Sequence, residues 1–320
     1  MTRGEAFAAA VDGWVAKDLA TLRVCGVPMP TFLFAINLLA TCIHAAMGTA
    51  VLVAGGRHTD GRLSLEVTMV VPVWQNLSAN PYTYEVRASN TFRGLQLHHL
   101  CAAFALLSAV FHASIALAAS PCGIRSTWLR TAYFGGLRNC FAPWRWAEYC
   151  ISAPLMAVAL LALTGVRDQS ALVLTFAGQS VTMLCGLLTE LLNRPVSGTD
   201  GIERVWPPIP LAGRFAPFLV GCWAYVPTWV VYFVTFATSA DAAWECCRRS
   251  PPVWVIWLLA TQVGLFSIFT IPLIVFQLLP PKHYVWAEVV YALLSLTSKT
   301  ALNGTLLAQV IVLGRLQVLE

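Results

Sequence analysis

Lys299 stands in the stretch "SLTSKT" (295–300), well inside a long apolar run near the end of the chain. A charge at the centre of a bilayer costs roughly 2.5–3.5 kcal/mol or more, so an intramembrane lysine needs a partner or a task. The chain has three lysines against seventeen arginines, and Lys299 is the only lysine inside an apolar run. About 15 residues separate it from either end of that run, too far for snorkelling. A poorly solvated lysine either pairs with a carboxylate or forms a covalent imine, and for a lone lysine both readings are open. The segment "APWRWAEYCISAPLM" (142–156) supplies the carboxylate. Arg145, Glu148, Tyr149 and Ser152 fall at i, i+3, i+4 and i+7, which is one helical face. Glu148 can neutralise a protonated nitrogen on Lys299 and hold it in the charged form, while Arg145 keeps Glu148 ionised. If Arg145 and Glu148 merely satisfied each other, Lys299 would be left uncompensated. Ser295 lies one turn before Lys299 and Glu288 three turns before it, on the same face. The Ser295 hydroxyl can bond the nitrogen or its own i−4 carbonyl.

Two histidines add to this set, His44 in "NLLATCIHAAMG" with Asn37 at i−7, and His112 in "LLSAVFHAS" with Ser108 at i−4. Each can be a satisfied core residue or a proton carrier. Gln179, Met183, Gly186 and Glu190 follow a helical stripe that turns Glu190 inward rather than leaving it an interfacial charge. Trp146, Met156, Trp223, Tyr225, Trp229, Phe266 and Phe269 could wall a pocket for a flat conjugated ligand, with Pro227 and Pro272 as kinks that open space. His112, Arg145, Glu190, Glu288 and His44 all lie at or inward of Lys299, whereas the outer third of the third helix reads "MAVALLALTG". A proton pump needs a relay on both sides of its switch, so this asymmetry argues against pumping; only Asn303 and Gln309 remain on the outer part of the last helix.

The elements that must position these residues are membrane helices. Of 320 residues, 58% are hydrophobic and 11% charged, which places the chain among integral membrane proteins. Seven apolar runs are long enough to cross a core of about 30 Å: 32–54, 95–118, 139–164, 169–193, 212–238, 252–279 and 284–314. Their length excludes a β-barrel. Residues 1–24 lack the apolar stretch of a cleavable signal. With the amino terminus cytoplasmic and the carboxyl terminus extracellular, ten Arg and Lys lie inside against eight outside, and four of those eight share one long loop. In that loop (55–94), "RLSLEVTMVVPVW" reads as extended before the turn-like "SANP", predicting an external β-hairpin that folds over its own bundle or pairs with a second protomer. Asn76 opens a glycosylation sequon there, and Asn303 opens another inside a span where no glycan can be added. Residues 119–138 and 194–211 read as cytoplasmic loops. No soluble segment is large enough to be a catalytic domain, so the chain reads as one seven-helix domain over 1–320 and not as an enzyme. The ten cysteines show no metal spacing, and apolar packing accounts for most of them. The net charge of +5 is spread over the loops, which excludes a nucleic-acid partner and leaves membrane lipids as the surroundings.

These residues resemble the heliorhodopsin branch of the microbial rhodopsins. The likeness is carried by "RWAEYCISAPLM" in the third helix, "YALLSLTSKT" in the seventh, "FAPFLVGCWAYVPTW" in the fifth, the histidine segments "CIHAAMG" and "LLSAVFHAS", and the long loop after helix one. The resemblance implies an all-α, seven-transmembrane-helix rhodopsin-like bundle that binds retinal, all-trans in the dark, as a protonated Schiff base on Lys299. Glu148 would be the counterion, Ser295 a neighbour of the nitrogen, and Trp146, Tyr149, Ser152, Met156, Phe266 and Phe269 the pocket. His44, His112, Arg145, Glu190, Glu288 and Asn37 would form an inner polar network. It further implies an inverted orientation, a homodimer with the outer loop in the contact, and a photoreceptor that signals to a downstream partner. Cys150, Pro154 and the sixth-helix segment "FSIFTIPLIVFQLL" depart from the family pattern. A light-gated proton channel using Glu148, Glu190 and Glu288 is the alternative, and a transporter with a structural Lys299–Glu148 pair is a third reading, against which stands the lack of an internal repeat.

Overall fold

A computed structural model describes residues 3–58, 64–74, 84–121, 127–197, 204–248, 250 and 252–312. In chain order its helices are α1 (Arg3–Trp14), α2 (Met29–His58), α3 (Leu97–Ala119), α4 (Thr127–Arg138), α5 (Pro143–Leu163), α6 (Gln169–Leu192), α7 (Leu211–Cys247), α8 (Val253–Ile268), α9 (Thr270–Leu278) and α10 (Val285–Thr305). Three antiparallel pairs join them: β1 (Arg23–Val24) with β2 (Val27–Pro28), β3 (Ser64–Trp74) with β4 (Tyr84–Gln96), and β5 (Val196–Ser197) with β6 (Arg204–Val205).

Among the described residues, α2, α3, α5, α6, α7 and the α8–α9 pair are long and apolar enough to cross a membrane. The seventh crossing, α10, is continued by a π-helical segment Leu306–Val312. Its composition is more polar because it carries Glu288, Ser295, Ser298, Lys299 and Asn303, all of them buried against its neighbours. Lipid then meets the apolar remainder of that helix.

Three boundaries differ from the sequence expectation. The fifth crossing continues from 238 to Cys247, since "ATSADAAWECC" has no helix breaker although its hydropathy has ended. The sixth is broken between α8 and α9 at Phe269, because Pro272 has no N–H for the Ile268 carbonyl and its ring crowds that carbonyl. Pro227, by contrast, lies within the continuous α7. Residues 127–138, expected as loop, form the amphipathic α4. Its face of Leu129, Tyr133, Phe134 and Leu137 packs with Val11, Val15 and Leu19 of the amino-terminal segment. Cys246 is disulfide-bonded.

The expected hairpin is present, running in register from Ser64 opposite Gln96 to Trp74 opposite Tyr84, with an irregularity at Leu65–Thr68. It folds over its own bundle: the Thr68 N–H donates to the Arg167 carbonyl in the α5–α6 connection (2.9 Å), and Val67 is buried in the core. The turn residues and Asn76 lie outside the described residues. Asn303 is fully buried in α10.

Two apolar clusters fill the bundle. The outer one gathers Val51, Leu97, Phe104, Met156, Leu160, Leu258, Leu302 and Leu306. The inner one, at the end carrying α1 and α4, gathers Met29, Leu33, Ile115, Trp146, Tyr149, Leu273, Tyr284 and Tyr291.

Candidate functional site

Along α10, Lys299 falls between these clusters, with its side chain buried. Its Nζ donates to Glu148 Oε1 on α5 and to Ser295 Oγ at 2.9 Å, one turn back on its own helix. Glu148 Oε1 also accepts from Ser108 Oγ of α3 at 2.6 Å, while the same hydroxyl lies 2.8 Å from the Phe104 carbonyl. The carboxylate is therefore held from two helices besides its own. Tyr149 places its ring 5.3 Å from Lys299 Nζ and donates its hydroxyl to the Tyr291 carbonyl at 3.1 Å. The expected face of α5 thus turns inward as one unit, and a lone buried charge, costly by itself, becomes a hydrogen-bonded pair.

Inward of the pair, His112 Nδ1 and Asn37 Oδ1 are 2.7 Å apart, and Asn37 Nδ2 donates to the Leu33 carbonyl at 2.8 Å. The His44 and His112 rings stack with centroids 5.4 Å apart, and His44 Nε2 has no partner among the described residues. Arg145 turns away from Glu148, contrary to the expectation that it keeps that carboxylate ionised. It bridges Glu190 on α6 and Glu288 on α10, and donates to the Tyr284 hydroxyl at 3.0 Å. Its guanidinium also lies 4.1 Å from the Tyr291 ring centroid. Glu190 is buried, not interfacial, and its second oxygen accepts the Ala142 N–H at the start of α5 (3.1 Å). A cavity of about 20 Å³, room for one water, touches Asn37, His112, Arg145, Glu148 and Glu288 and so joins the two ionic groups.

A second, apolar cavity opens beside Tyr149, between α5, α6, α7, α8, α9 and α10. Trp146, Tyr149, Phe266 and Phe269 line it as expected, together with Tyr225. Its volume is about 60 Å³. Gly186 brings α6 against it: a Cβ there would fall 2.2 Å from Cη2 of Trp146, so only glycine lets the indole lie on that helix.

Three expected wall residues are placed elsewhere. Trp223 is 82% exposed on the outside of α7, so it faces away from the cavity. Met156 and Trp229 are buried in the outer cluster, and neither they nor Ser152 line the cavity. Ser152 is fully buried, and among the described residues its hydroxyl has no partner. Sequence reasoning missed Ser108 as a donor to Glu148, as well as Tyr284, Tyr291 and Gln262; Ser108 was within reach, since it shares a face with His112.

A model of the heliorhodopsin family matches residues 33–311, spanning every membrane helix and the hairpin. No curated protein matches the chain.

Proposed function

Because this chain belongs to the heliorhodopsin family, which makes it a rhodopsin-type, light-sensing retinal protein of the membrane, we propose that Lys299 is the retinal attachment site and Glu148 its counterion. The observation that carries this is the buried Lys299–Glu148 pair beside Tyr149, whose ring lies 5.3 Å from Lys299 Nζ and lines the aromatic cavity. The residues fit the group: a primary amine for a covalent bond, one carboxylate for the resulting cation, and flat apolar walls for a conjugated chain. Bound all-trans in the dark, retinal supplies light absorption and double-bond isomerisation.

The chain's own residues do the rest. Glu148, held by Ser108, keeps positive charge at the Lys299 nitrogen, and Ser295 accepts from it. When that nitrogen releases its proton, the inner set of His112, Asn37, His44 and the Arg145 cluster is the route that offers acceptors and a water site. The changed charge then acts on a bundle whose inner helix ends meet at Arg145, and the altered shape is read by a protein partner. In this reading residues 1–320 act as one domain with no catalytic chemistry of its own. The amino terminus is cytoplasmic and the carboxyl terminus extracellular, and two copies pair with help from the outer hairpin.

The test is a visible spectrum of protein expressed with all-trans-retinal, before and after hydroxylamine under illumination. A visible band that bleaches, and is absent in a folded Lys299→Ala variant, is expected. A colourless wild type, or pigment in Lys299→Ala, overturns the reading. A light-gated proton channel is the second reading, favoured by three buried carboxylates, Glu148, Glu190 and Glu288. It requires photocurrents that follow the proton gradient and vanish in Glu148→Gln or Glu190→Gln.

A further inference from the structure

The sequence spreads its cations over separate loops, but the fold gathers five of them at one corner of the end that carries α1 and α4. Arg204 of β6 donates from Nη1 to the carbonyl of Arg138, the last residue of α4, at 2.6 Å. Its Nη2 donates to Asn139 Oδ1 at 2.8 Å and to the carbonyl of Pro195, next to Arg194, at 3.4 Å. Arg194 in turn lies over the Phe141 ring, 4.1 Å from its centroid. Trp206, two residues past Arg204, donates Nε1 to the Leu279 carbonyl just past the end of α9 (3.0 Å). The turn Pro281–His283, which packs on β6, adds Lys282. Arg214 of α7 closes the corner, 5.0 Å from the Trp206 ring centroid. It is 8% exposed, with Nε on the Asn193 side chain and Nη2 on the Gln277 carbonyl (2.7 Å), while Nη1 makes no hydrogen bond with a described residue. Among the described residues none of the five cations makes an ion pair. Burial, and after it the charge of Arg138, hold the Arg204 guanidinium below its usual pKa.

We propose that this corner binds the phosphate headgroup of an anionic membrane lipid, with Arg194, Arg204, Arg214 and Lys282 supplying the charge. The neighbouring surface fits the rest of such a molecule. Leu192, Val205, Ile209, Leu211 and Leu279 are all exposed around the cations, at the ends of the membrane-crossing α6, α7 and α9. Acyl chains cover leucines in that position, while basic groups between helix ends meet the headgroups. Arginine forks match phosphate oxygens, and a zwitterionic headgroup brings an amine that opposes them. An acidic peptide would complement the charge but not the apolar side chains that continue the lipid-facing surface of α6 and α7. Binding also has a structural consequence. Trp206 and Arg214 hold the end of α9 through the Leu279 and Gln277 carbonyls, so a headgroup that fixes these two side chains fixes α9 as well. The site stands on the chain alone and does not rest on the function proposed above.

The test is native mass spectrometry of the full-length protein in detergent, titrated with phosphatidylglycerol or with phosphatidylcholine. Wild type should bind phosphatidylglycerol about tenfold more tightly or better. Arg194→Gln/Lys282→Gln, which changes two exposed side chains, should weaken that binding by about twentyfold, since each basic residue near a charged headgroup is worth about fivefold. Lys17→Gln/Arg23→Gln removes the same charge from the amino-terminal segment at the same end and should leave binding unchanged. Equal binding of the two lipids overturns the proposal, as does an undiminished affinity in Arg194→Gln/Lys282→Gln. An equal loss in both double variants also overturns it, because net charge and not a site would then explain the preference. Displacement of phosphatidylglycerol by inorganic phosphate would make this a site for a soluble anion, and displacement by an oligoglutamate peptide would give the surface to a protein; either result refutes the lipid. If Arg194→Gln/Lys282→Gln fails to fold, Lys282→Gln alone, with a loss of about fivefold, decides.

Discussion

Replacing Arg145 by glutamine removes one cation from between two buried carboxylates, Glu190 and Glu288. All three side chains are 5% exposed or less, so solvent cannot make up the lost charge. Breaking a buried pair by deleting one partner costs about 3–5 kcal/mol, which is roughly two to three and a half orders of magnitude in the unfolding equilibrium. Glu288→Gln is a smaller perturbation. Arg145 keeps Glu190, the Tyr284 hydroxyl and the Tyr291 ring, and the new amide oxygen still accepts, so the loss is that of one charge-assisted bond, about 1.5–3 kcal/mol. Because the two residues interact directly, the double variant Arg145→Gln/Glu288→Gln should be more stable than the sum of the single losses implies, by about 0.5–3 kcal/mol. Denaturant titration in detergent, followed by helical circular dichroism, measures all three. Equal losses for the two single variants, or strict additivity in the double, would refute the view that Arg145 is the shared centre of this cluster.

Other expectations follow from single contacts. Gly186→Ala forces the Trp146 indole off α6; it should cost about 1–3 kcal/mol and reduce pigment yield when retinal is supplied, read as the ratio of visible to protein absorbance. Thr68→Pro removes the N–H that straps the hairpin to the Arg167 carbonyl and should lower stability by about 1–3 kcal/mol, whereas Thr68→Ala, which keeps the N–H, should stay within about 1 kcal/mol of wild type in the same titration. Glu148→Gln withdraws the negative charge that stabilises a cation at Lys299, so the visible band should move to longer wavelength. An unmoved band would dissociate Glu148 from the counterion role.

Helical periodicity was enough to put Lys299, Ser295 and Glu288 on one stripe and Arg145, Glu148, Tyr149 and Ser152 on another, because a buried charge leaves few choices of face. It could not say where a long side chain ends. Arg145 is one turn from Glu148, yet its guanidinium reaches two other helices, and that choice depends on how α6 and α10 pack. Trp223 shows the same limit for aromatics: tryptophan suits a pocket wall and a lipid-facing surface equally, and only the rotation of α7 decides. Hydropathy marks where apolar surface ends, while a helix continues as long as its hydrogen bonds do, hence the extra turns of α7 as far as Cys247. The amphipathic α4 was hidden by its arginines and its Gly135–Gly136 pair, which read as loop.

The break at Phe269 gives the sixth crossing a pivot. Phe269 sits at that pivot with its ring 5.5 Å from Tyr149 and 6.1 Å from Tyr291, and it lines the apolar cavity. On the inner side hangs α9, nine residues and therefore about 13 Å long, whose Gln277 carbonyl receives Arg214 from α7 at 2.7 Å. A tilt of about 10° at the pivot moves the far end of that arm by about 2 Å, enough to break a hydrogen bond of such length. Crowding of Phe269 from within the cavity would thereby displace the end of the bundle that carries α1 and α4, where α7, α9 and the turn leading to α10 meet.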